Sequence, residues 1–272
     1  MISKINWENK VYNLFLRFLE SKKQKIKEIF SWERIQRENP FGTSLINDPK
    51  FWKACKIERS FVTTLGQSVY EDIALVLSRD LFGEAEKGFT YISKINKRVN
   101  KKINSIIKEL NEAKRTPNWD EEIEDIKEFK DPNKIELIDL KITMDLYIPN
   151  FKNNEPLYAE IKSPKPNKDQ CLQTKQKLLK VYLSEDWRGE NVYFAFPYNP
   201  YLTRENYNHP HIKSTFKIPD SPKLLMGKEF WDLIGGEGTY SIILELAKLA
   251  NKEVNILNFN NSKLKQKKIN NF

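Results

Sequence analysis

The sequence predicts a mixed α/β fold, in which a mixed β-sheet is flanked by helices and follows a helical N-terminal portion. Short runs of β-forming residues lie at 134–148, 157–163 and 191–196, and apolar residues at helical spacing lie before and between them. Hydrophobic residues make up 39% of the 272 residues and aromatic residues 12%, which is enough to bury a core. These features favour one α/β domain with insertions.

The first 130 residues are predicted to be mainly helical. Residues 7–30 are predicted as an amphipathic helix, and so are residues 59–82, whose apolar positions repeat every 3.6 residues. Residues 91–114 are predicted as a lysine-rich helix. The acidic run at 120–131 is predicted as a solvated helix or loop, because adjacent basic and acidic runs usually compensate each other at the surface.

Residues 131–257 are predicted to form the sheet core and the elements that contact a ligand. The turn-rich stretch 149–156 separates two short apolar strands and is typical of a hairpin. A helix at 170–183 is predicted to cross over to a buried strand. The remaining predictions are a buried strand at 191–196, a loop at 198–222, a helix at 241–250 and a frayed tail at 258–272.

An acidic pair and a lysine lie on the two strands of this hairpin. Glu160 and Lys162 are two residues apart, so a strand projects both side chains from one face, and Asp145 lies in the preceding strand. Carboxylates bind hard cations such as Mg²⁺, and a neighbouring ammonium steadies an attacking water or a phosphate charge. The residues therefore indicate metal-dependent cleavage of a phosphodiester. The alternative is an ordinary solvated hairpin with one charged face.

The spacing of these residues resembles the motif of the PD-(D/E)XK nucleases, and among them the type II restriction endonucleases. Asp145 is followed, after fourteen intervening residues, by Glu160-Ile161-Lys162. One departure is Met144, which stands where the pattern has proline, its loosest position. The resemblance implies a restriction-endonuclease-like core, a Mg²⁺ ion bound by Asp145, Glu160 and the carbonyl of Ile161, and Lys162 at the nucleophile.

Two flanking segments resemble the same enzymes. Residues 64–71 look like the helix that carries a further glutamate into the site, which implies that Glu71 is a catalytic residue and a metal ligand, with Asp72 as the alternative. Residues 226–236 resemble a C-terminal segment of restriction enzymes that cut GGNCC-type sites. The other interpretation of Glu71 is a surface charge on an amphipathic helix.

The overall charge suits a polyanionic partner. Lys and Arg number 46 against 37 Asp and Glu, which gives a formal charge of +9 and a pI near 9.2. Each phosphate that a protein neutralises releases counterions and so favours binding. Lysine, asparagine and isoleucine are also enriched in any protein from an AT-rich genome, so the charge alone does not identify DNA as the partner.

The small numbers of cysteines and histidines limit the kinds of site and mechanism to be expected. Cys55 and Cys171 have neither CxxC spacing nor companion histidines, so a zinc site or a disulfide framework is not expected. His209 and His211, the two histidines, share one proline-containing loop, so histidine is not expected as the general base. The N-terminal residues lack the pattern of a signal peptide and no long apolar window occurs, which predicts a cytoplasmic protein.

Together these features predict a Mg²⁺-dependent type II restriction endonuclease that hydrolyses double-stranded DNA at a short specific site, and the resemblance implies that it leaves 5′-phosphate ends. The resemblance also implies a homodimer, whose two-fold symmetry matches a palindromic site, and a separately encoded DNA methyltransferase. Two alternatives stay open: a repair or junction-resolving nuclease of the same superfamily, and a non-catalytic basic DNA-binding protein. The loop at 198–222 is the candidate region for reading bases, and the sequence does not identify those bases.

Overall fold

The chain divides into two compact units. The helical unit comprises Met1–Val69 and Ser241–Phe272, and the sheet unit comprises Tyr70–Tyr240. The predicted tail at 258–272 lies outside the described part of the chain, and the division predicted at residue 130 stays a prediction. The computed structural model describes residues 4–28, 31–129, 136–185 and 191–254.

The described elements include both helices and strands, as a mixed α/β fold requires. In chain order they are α1 (Lys4–Glu28), α2 (Trp32–Glu38), α3 (Pro40–Leu45), α4 (Pro49–Thr64), a π-helical turn (Leu65–Val69), α5 (Tyr70–Phe82), β1 (Glu86–Asn96), α6 (Lys97–Asn111), α7 (Trp119–Glu128), β2 (Leu137–Lys152), β3 (Glu155–Ile161), α8 (Lys168–Tyr182), β4 (Val192–Phe196), α9 (Pro210–Lys213), β5 (Leu224–Met226), α10 (Lys228–Gly235) and α11 (Thr239–Val254).

The helical unit follows the apolar pattern of its sequence. On α1, Val11, Phe15 and Phe18 are buried at the i, i+4, i+7 spacing of one helix face. Helix α4 begins after Asp48, whose carboxylate accepts the backbone N–H of Lys50 at 2.8 Å and satisfies one free donor of the first turn. Among the described helices of the chain, none has the length and apolar character needed to cross a bilayer.

The sheet unit is built on a five-stranded mixed sheet in the order β1-β2-β3-β4-β5. The pairs β1–β2 and β2–β3 are antiparallel, whereas β3–β4 and β4–β5 are parallel. Helix α8 makes the crossover between the parallel strands β3 and β4, as parallel pairing requires. The predicted α/β class, with a mixed sheet flanked by helices and a helical N-terminal part, is therefore confirmed.

The predicted hairpin is confirmed between β2 and β3. Strand β2 extends to Lys152, which pairs with Glu155, so the turn consists of Asn153 and Asn154. Both asparagines have positive φ, 53° and 58°. Asparagine tolerates this left-handed conformation, and two such residues form the turn whose twist matches antiparallel strands.

The helix predicted at 91–114 is wrong over its first six residues, which belong to strand β1. The helix begins at Lys97, and Asn96 caps it by accepting the backbone N–H of Arg98 at 2.9 Å. The segment before this cap pairs along its length with β2, more than forty residues further on in the chain. The helix predicted from the lysine-rich pattern is therefore too long, because its first six residues are stabilised as a strand by a distant partner.

Two further predictions need correction. The acidic run is helical over α7, but it is not simply solvated, because Glu122 is fully buried and forms an ion pair of 2.5 Å with Lys175. Residues 130 and 131 of that run lie outside the described part of the chain. The single helix predicted at 59–82 is interrupted by the π-helical turn, which contains Gly66, a poor helix former.

Candidate active site

The two motif carboxylates lie on neighbouring strands. Strands β2 and β3 pair Leu146 with Ala159, so continuing this antiparallel register by one residue brings Asp145 opposite Glu160. The side chain of Glu160 is 5% exposed and that of Asp145 is 19% exposed. The structure therefore brings together the acidic pair that the sequence predicted, at a partly enclosed position in the sheet unit.

Lys162 connects the two carboxylates. Its Nζ lies 2.8 Å from Asp145 Oδ2 and 2.9 Å from Glu160 Oε1. It also donates to the carbonyl of Ile161 at 3.2 Å. Burial alone would lower the pKa of Lys162, but the charges of Glu160 and Asp145 outweigh burial and raise it above the ordinary value. The ammonium therefore stays charged at neutral pH.

The backbone fixes the orientation of this group. The N–H of Ile161 donates to Asp145 Oδ2 at 2.8 Å, so the aspartate is held by a backbone donor as well as by the ammonium. The backbone N–H of Lys162 donates to the carbonyl of Ala195 at 3.1 Å, which ties the end of β3 to β4. Asp145, Glu160, Ile161 and Lys162 are thus positioned by strand pairing rather than by a loop.

A second lysine contacts the acidic pair. Lys177, on α8, donates to Glu160 Oε2 at 2.6 Å. Each oxygen of Glu160 therefore accepts from a different ammonium, since Lys162 takes the other one. In the sequence, Lys177 falls within the helix predicted at 170–183 and is one of several lysines there. No local signal distinguishes it, because its partner is supplied by the crossover that lays α8 beside β3.

Glu71 lies in the first turn of α5 and is half-buried. Burial first, and then the negative charge of Asp145, raise the pKa of Glu71 to about 7, while Lys87 and Lys162 oppose this shift. Glu71 is therefore electrostatically coupled to the acidic pair. Asp72, the alternative, instead forms an ion pair with Lys87 on β1. The assignment of Glu71 as a catalytic residue and metal ligand stays a prediction.

The donor set suits a hard divalent cation. The carboxylates of Asp145 and Glu160 and the carbonyl of Ile161 all lie within hydrogen-bonding distance of one ammonium, so three oxygen donors converge on one small region. Oxygen-only sets of this kind fit Mg²⁺ or Mn²⁺ and do not fit zinc, which favours nitrogen and sulfur. In the described residues, no group of three or more His, Cys, Asp or Glu side chains is arranged to hold a metal.

The predicted C-terminal segment lies beside the carboxyl ends of the parallel strands. Gly227 follows β5 with a positive φ of 54°, and its N–H donates to the carbonyl of Phe196 at 2.8 Å. The indole N–H of Trp231, on α10, donates to the carbonyl of Pro197 at 2.8 Å. These bonds anchor the start of α10 to the end of β4, the same sheet edge from which Lys162 follows β3.

Comparison with known proteins agrees with this geometry. The sequence profile of the HinfI type II restriction endonuclease family matches residues 3–251. The type II restriction enzyme HgiCII of Herpetosiphon aurantiacus is 30% identical over 212 residues, which cover 76% of this chain and 75% of that enzyme. HgiEI of the same organism is 31% identical over 213 residues, with the same coverage.

An enzyme from another organism provides a similar match. The type II restriction enzyme MjaII of Methanocaldococcus jannaschii is 31% identical over 222 residues, which cover 76% of this chain and 58% of that enzyme. No solved structure gives a significant match. The predicted resemblance to type II restriction endonucleases is confirmed. The chain belongs to the HinfI family of type II restriction endonucleases, enzymes that cleave DNA at specific sites.

Proposed function

We propose that the protein is a Mg²⁺-dependent endonuclease that hydrolyses a phosphodiester bond in each strand of double-stranded DNA at a short specific site and leaves 5′-phosphate and 3′-hydroxyl ends. The observation that carries the proposal is the contact of the Lys162 ammonium with both Asp145 and Glu160. This contact joins a positive charge to an oxygen-rich pair, which is the combination that phosphodiester hydrolysis requires.

Each residue of the site has a distinct part in this mechanism. Asp145, Glu160 and the carbonyl of Ile161 would hold Mg²⁺, which when bound lowers the pKa of water and offsets phosphate charge. Asp145 is pre-oriented by the N–H of Ile161. Lys162 orients the attacking water or stabilises the charge that develops on the phosphate. Glu71, coupled to Asp145, would add a third carboxylate to the pocket.

Lys177 is a positioning residue in this proposal. Its ammonium holds Glu160 Oε2 and so fixes the rotation of that carboxylate. Residues that hydrogen-bond to a metal ligand and orient it often affect metal affinity and activity nearly as much as the ligands do. Lys177 therefore contributes to the site by orienting Glu160, although it contacts neither the metal nor the phosphate in the proposed arrangement.

The proposed partners follow from family membership and symmetry. Two copies of the chain would form a homodimer in which each copy cuts one strand of a palindromic site. A separately encoded DNA methyltransferase would protect the host's own sites. The resemblance of residues 226–236 to enzymes that cut GGNCC-type sites makes such a site the first sequence to test.

Plasmid digestion tests the proposal. The wild-type protein should yield discrete fragments with Mg²⁺ and none with EDTA. Asp145→Ala and Glu160→Ala should each abolish cleavage and still shift a DNA duplex in a gel, because each removes a metal ligand and no base contact. Asp139→Ala, an exposed carboxylate on the same strand β2, is the matched control and should cut normally.

The outcome also discriminates the alternatives. Structure-dependent nicking in place of discrete fragments would favour a repair or junction-resolving enzyme, and an intact but shifted plasmid would favour a binding protein. Sequencing the fragment ends would give the recognition site and the position of the 5′-phosphate. Wild-type cutting by Asp145→Ala or Glu160→Ala would refute the proposed metal site.

Lys162→Ala separates catalysis from binding. The ammonium acts on the transition state, so its loss should lower the single-turnover cleavage rate by on the order of a hundredfold or more. Affinity for uncut DNA should change little. A collapse of affinity with a preserved rate would instead make Lys162 a phosphate anchor.

A further inference from the structure

The loop that follows β4 presents one leucine almost entirely to solvent. Leu202 is 90% exposed and has a φ of 72°, in the left-handed region. This conformation is unfavourable for a residue with a Cβ and suits glycine or asparagine. Neither burial nor backbone preference therefore explains a leucine here. Residues held in such conformations concentrate at functional sites.

The loop around Leu202 is fixed by its own side chains. Asn199 brackets the tip, because its Oδ1 accepts the N–H of Tyr201 at 2.9 Å and its Nδ2 donates to the carbonyl of Thr203 at 2.8 Å. Arg204 anchors the next residues through an ion pair with Glu229 and bonds to the carbonyls of Pro219, Ser221 and Leu224. The exposed side chain is thus carried on an ordered loop.

The same loop packs on the segment that follows the catalytic lysine. The Lys165 ammonium lies 5.7 Å from the ring centroid of Tyr201, the residue immediately before Leu202. Tyr207 donates its hydroxyl to the carbonyl of Pro164, and its ring lies 5.0 Å from that of Tyr201. Pro164 and exposed Lys165 follow Lys162 within three residues, so the loop that carries Leu202 packs on the segment that leaves the active site.

We infer that Leu202 is a DNA-contacting residue, whose side chain inserts into a groove of the bound duplex beside the scissile phosphate. Exposed leucines serve as apolar wedges against bases and sugars in other DNA-binding proteins. The neighbouring Lys165 suits a backbone phosphate. The inference rests on the proposed function, and it goes beyond it by assigning a specific contact residue and its chemistry.

Leu202→Gly provides the decisive test, because it separates binding from stability. Glycine relieves the unfavourable φ, so the melting temperature should stay equal or rise. The lost apolar contact should weaken binding of a duplex that carries the cleavage site by roughly tenfold, measured in the Asp145→Ala background. Leu202→Met keeps an apolar tip and should bind within about twofold of the parent.

Ala113→Gly is the matched control. Ala113 is exposed, has a φ of 54° and follows the end of α6, so the change should relieve strain without altering DNA affinity. Leu202→Gly that binds and cuts as the wild type does would overturn the inference while leaving the proposed function intact. Equal losses of stability and binding would assign Leu202 a structural role and also overturn it. A wild-type protein that fails to cut DNA would refute the proposed function itself.

Discussion

At the scale of single residues, the site depends on how one carboxylate is shared between two lysines. Glu160 is nearly buried, and each of its oxygens accepts from one ammonium, that of Lys162 just after β3 or that of Lys177 on α8. Burying a carboxylate is costly unless its charge is compensated and its lone pairs are satisfied. The second lysine therefore compensates the charge of a predicted metal ligand and holds its carboxylate in one orientation.

Lys177→Met should weaken metal binding and slow cleavage together, each by about ten- to a hundredfold, because it frees the rotation of Glu160. Calorimetric titration of the variant with Mn²⁺ measures the affinity without turnover. Lys180→Met, on the same helix, is the control and should leave metal affinity unchanged, and Lys177→Arg should restore part of the loss. A rise in metal affinity in Lys177→Met would show that Lys177 acts chiefly as a competing positive charge.

The raised pKa of Glu71 predicts a pH dependence of stability in EDTA. A glutamate whose pKa is about 7 in the folded state and near 4.5 when unfolded binds its proton more tightly when folded. Glu71 therefore does not destabilise the folded state below pH 4.5. The free energy of unfolding falls as the pH rises from 4.5 to 7, and above pH 7 the destabilisation is complete.

Glu71→Gln removes this penalty, so it should be more stable than the wild type at pH 8 and closer to it at pH 4.5. Urea unfolding at the two pH values in EDTA measures the difference, and Mg²⁺ should reduce it at pH 8 if Glu71 is a ligand. Asp72→Asn is the control from the same helical turn. Its difference in stability from the wild type should not increase with pH. A pH-independent difference for Glu71→Gln would contradict the coupling.

At the scale of elements, α8 contacts both α7 and the active site through two of its lysines. Lys175 is fully buried, pairs with Glu122 of α7, and donates to the carbonyl of Thr215 at 3.2 Å. Its ammonium also lies 4.7 Å from the ring centroid of Phe216. Two residues further along the same helix, Lys177 reaches the active site. Helix α8 therefore couples the packing of α7 to the position of Glu160.

Lys175→Met should lower the free energy of unfolding by about 3–5 kcal/mol, because it leaves the buried carboxylate of Glu122 without its partner. Urea denaturation measures this loss, and Lys180→Met again serves as the control. The double variant Lys175→Met/Glu122→Leu should recover most of the stability, since replacing both members of a buried pair with apolar residues is often neutral. Equal stability of Lys175→Met and the wild type would contradict the importance of the pair.

At the scale of the whole molecule, the positive charge and the proposed two-fold assembly act together on DNA. The formal charge of +9 favours a polyanion, and a dimer doubles it at one site. If two copies bind one palindromic site, both strands should be cut in a single encounter. A supercoiled plasmid with one site should then become linear with little nicked circle, and sedimentation should give twice the 32.2 kDa of the chain.

Dissociating the proposed dimer by dilution is a second test of that prediction. Dilution below the dissociation constant of the dimer should reduce the cleavage rate more than proportionally to the protein concentration. A monomer in sedimentation that first converts all of the plasmid to nicked circle would contradict the dimer, and would leave the chemistry at Asp145 and Glu160 unaffected.

The sequence alone determined the α/β class and the motif at the centre of the site. The hairpin is local, with a two-asparagine turn between its strands, so its register follows from nearby residues. Alternation along β3 puts Glu160 and Lys162 on one face, and the register with β2 brings Asp145 opposite. Short-range geometry of this kind can be inferred from spacing.

Which distant residues join that motif depends on how the elements pack. The last six residues of β1 were predicted as helix because their hydrogen-bond partners lie on distant β2, and Glu122 was predicted at the surface because its partner Lys175 follows it by more than fifty residues. Lys177 is indistinguishable from its neighbouring lysines until the β3–α8–β4 crossover sets it beside Glu160. Contacts between residues far apart in the chain depend on how elements pack, and packing leaves no mark on local periodicity.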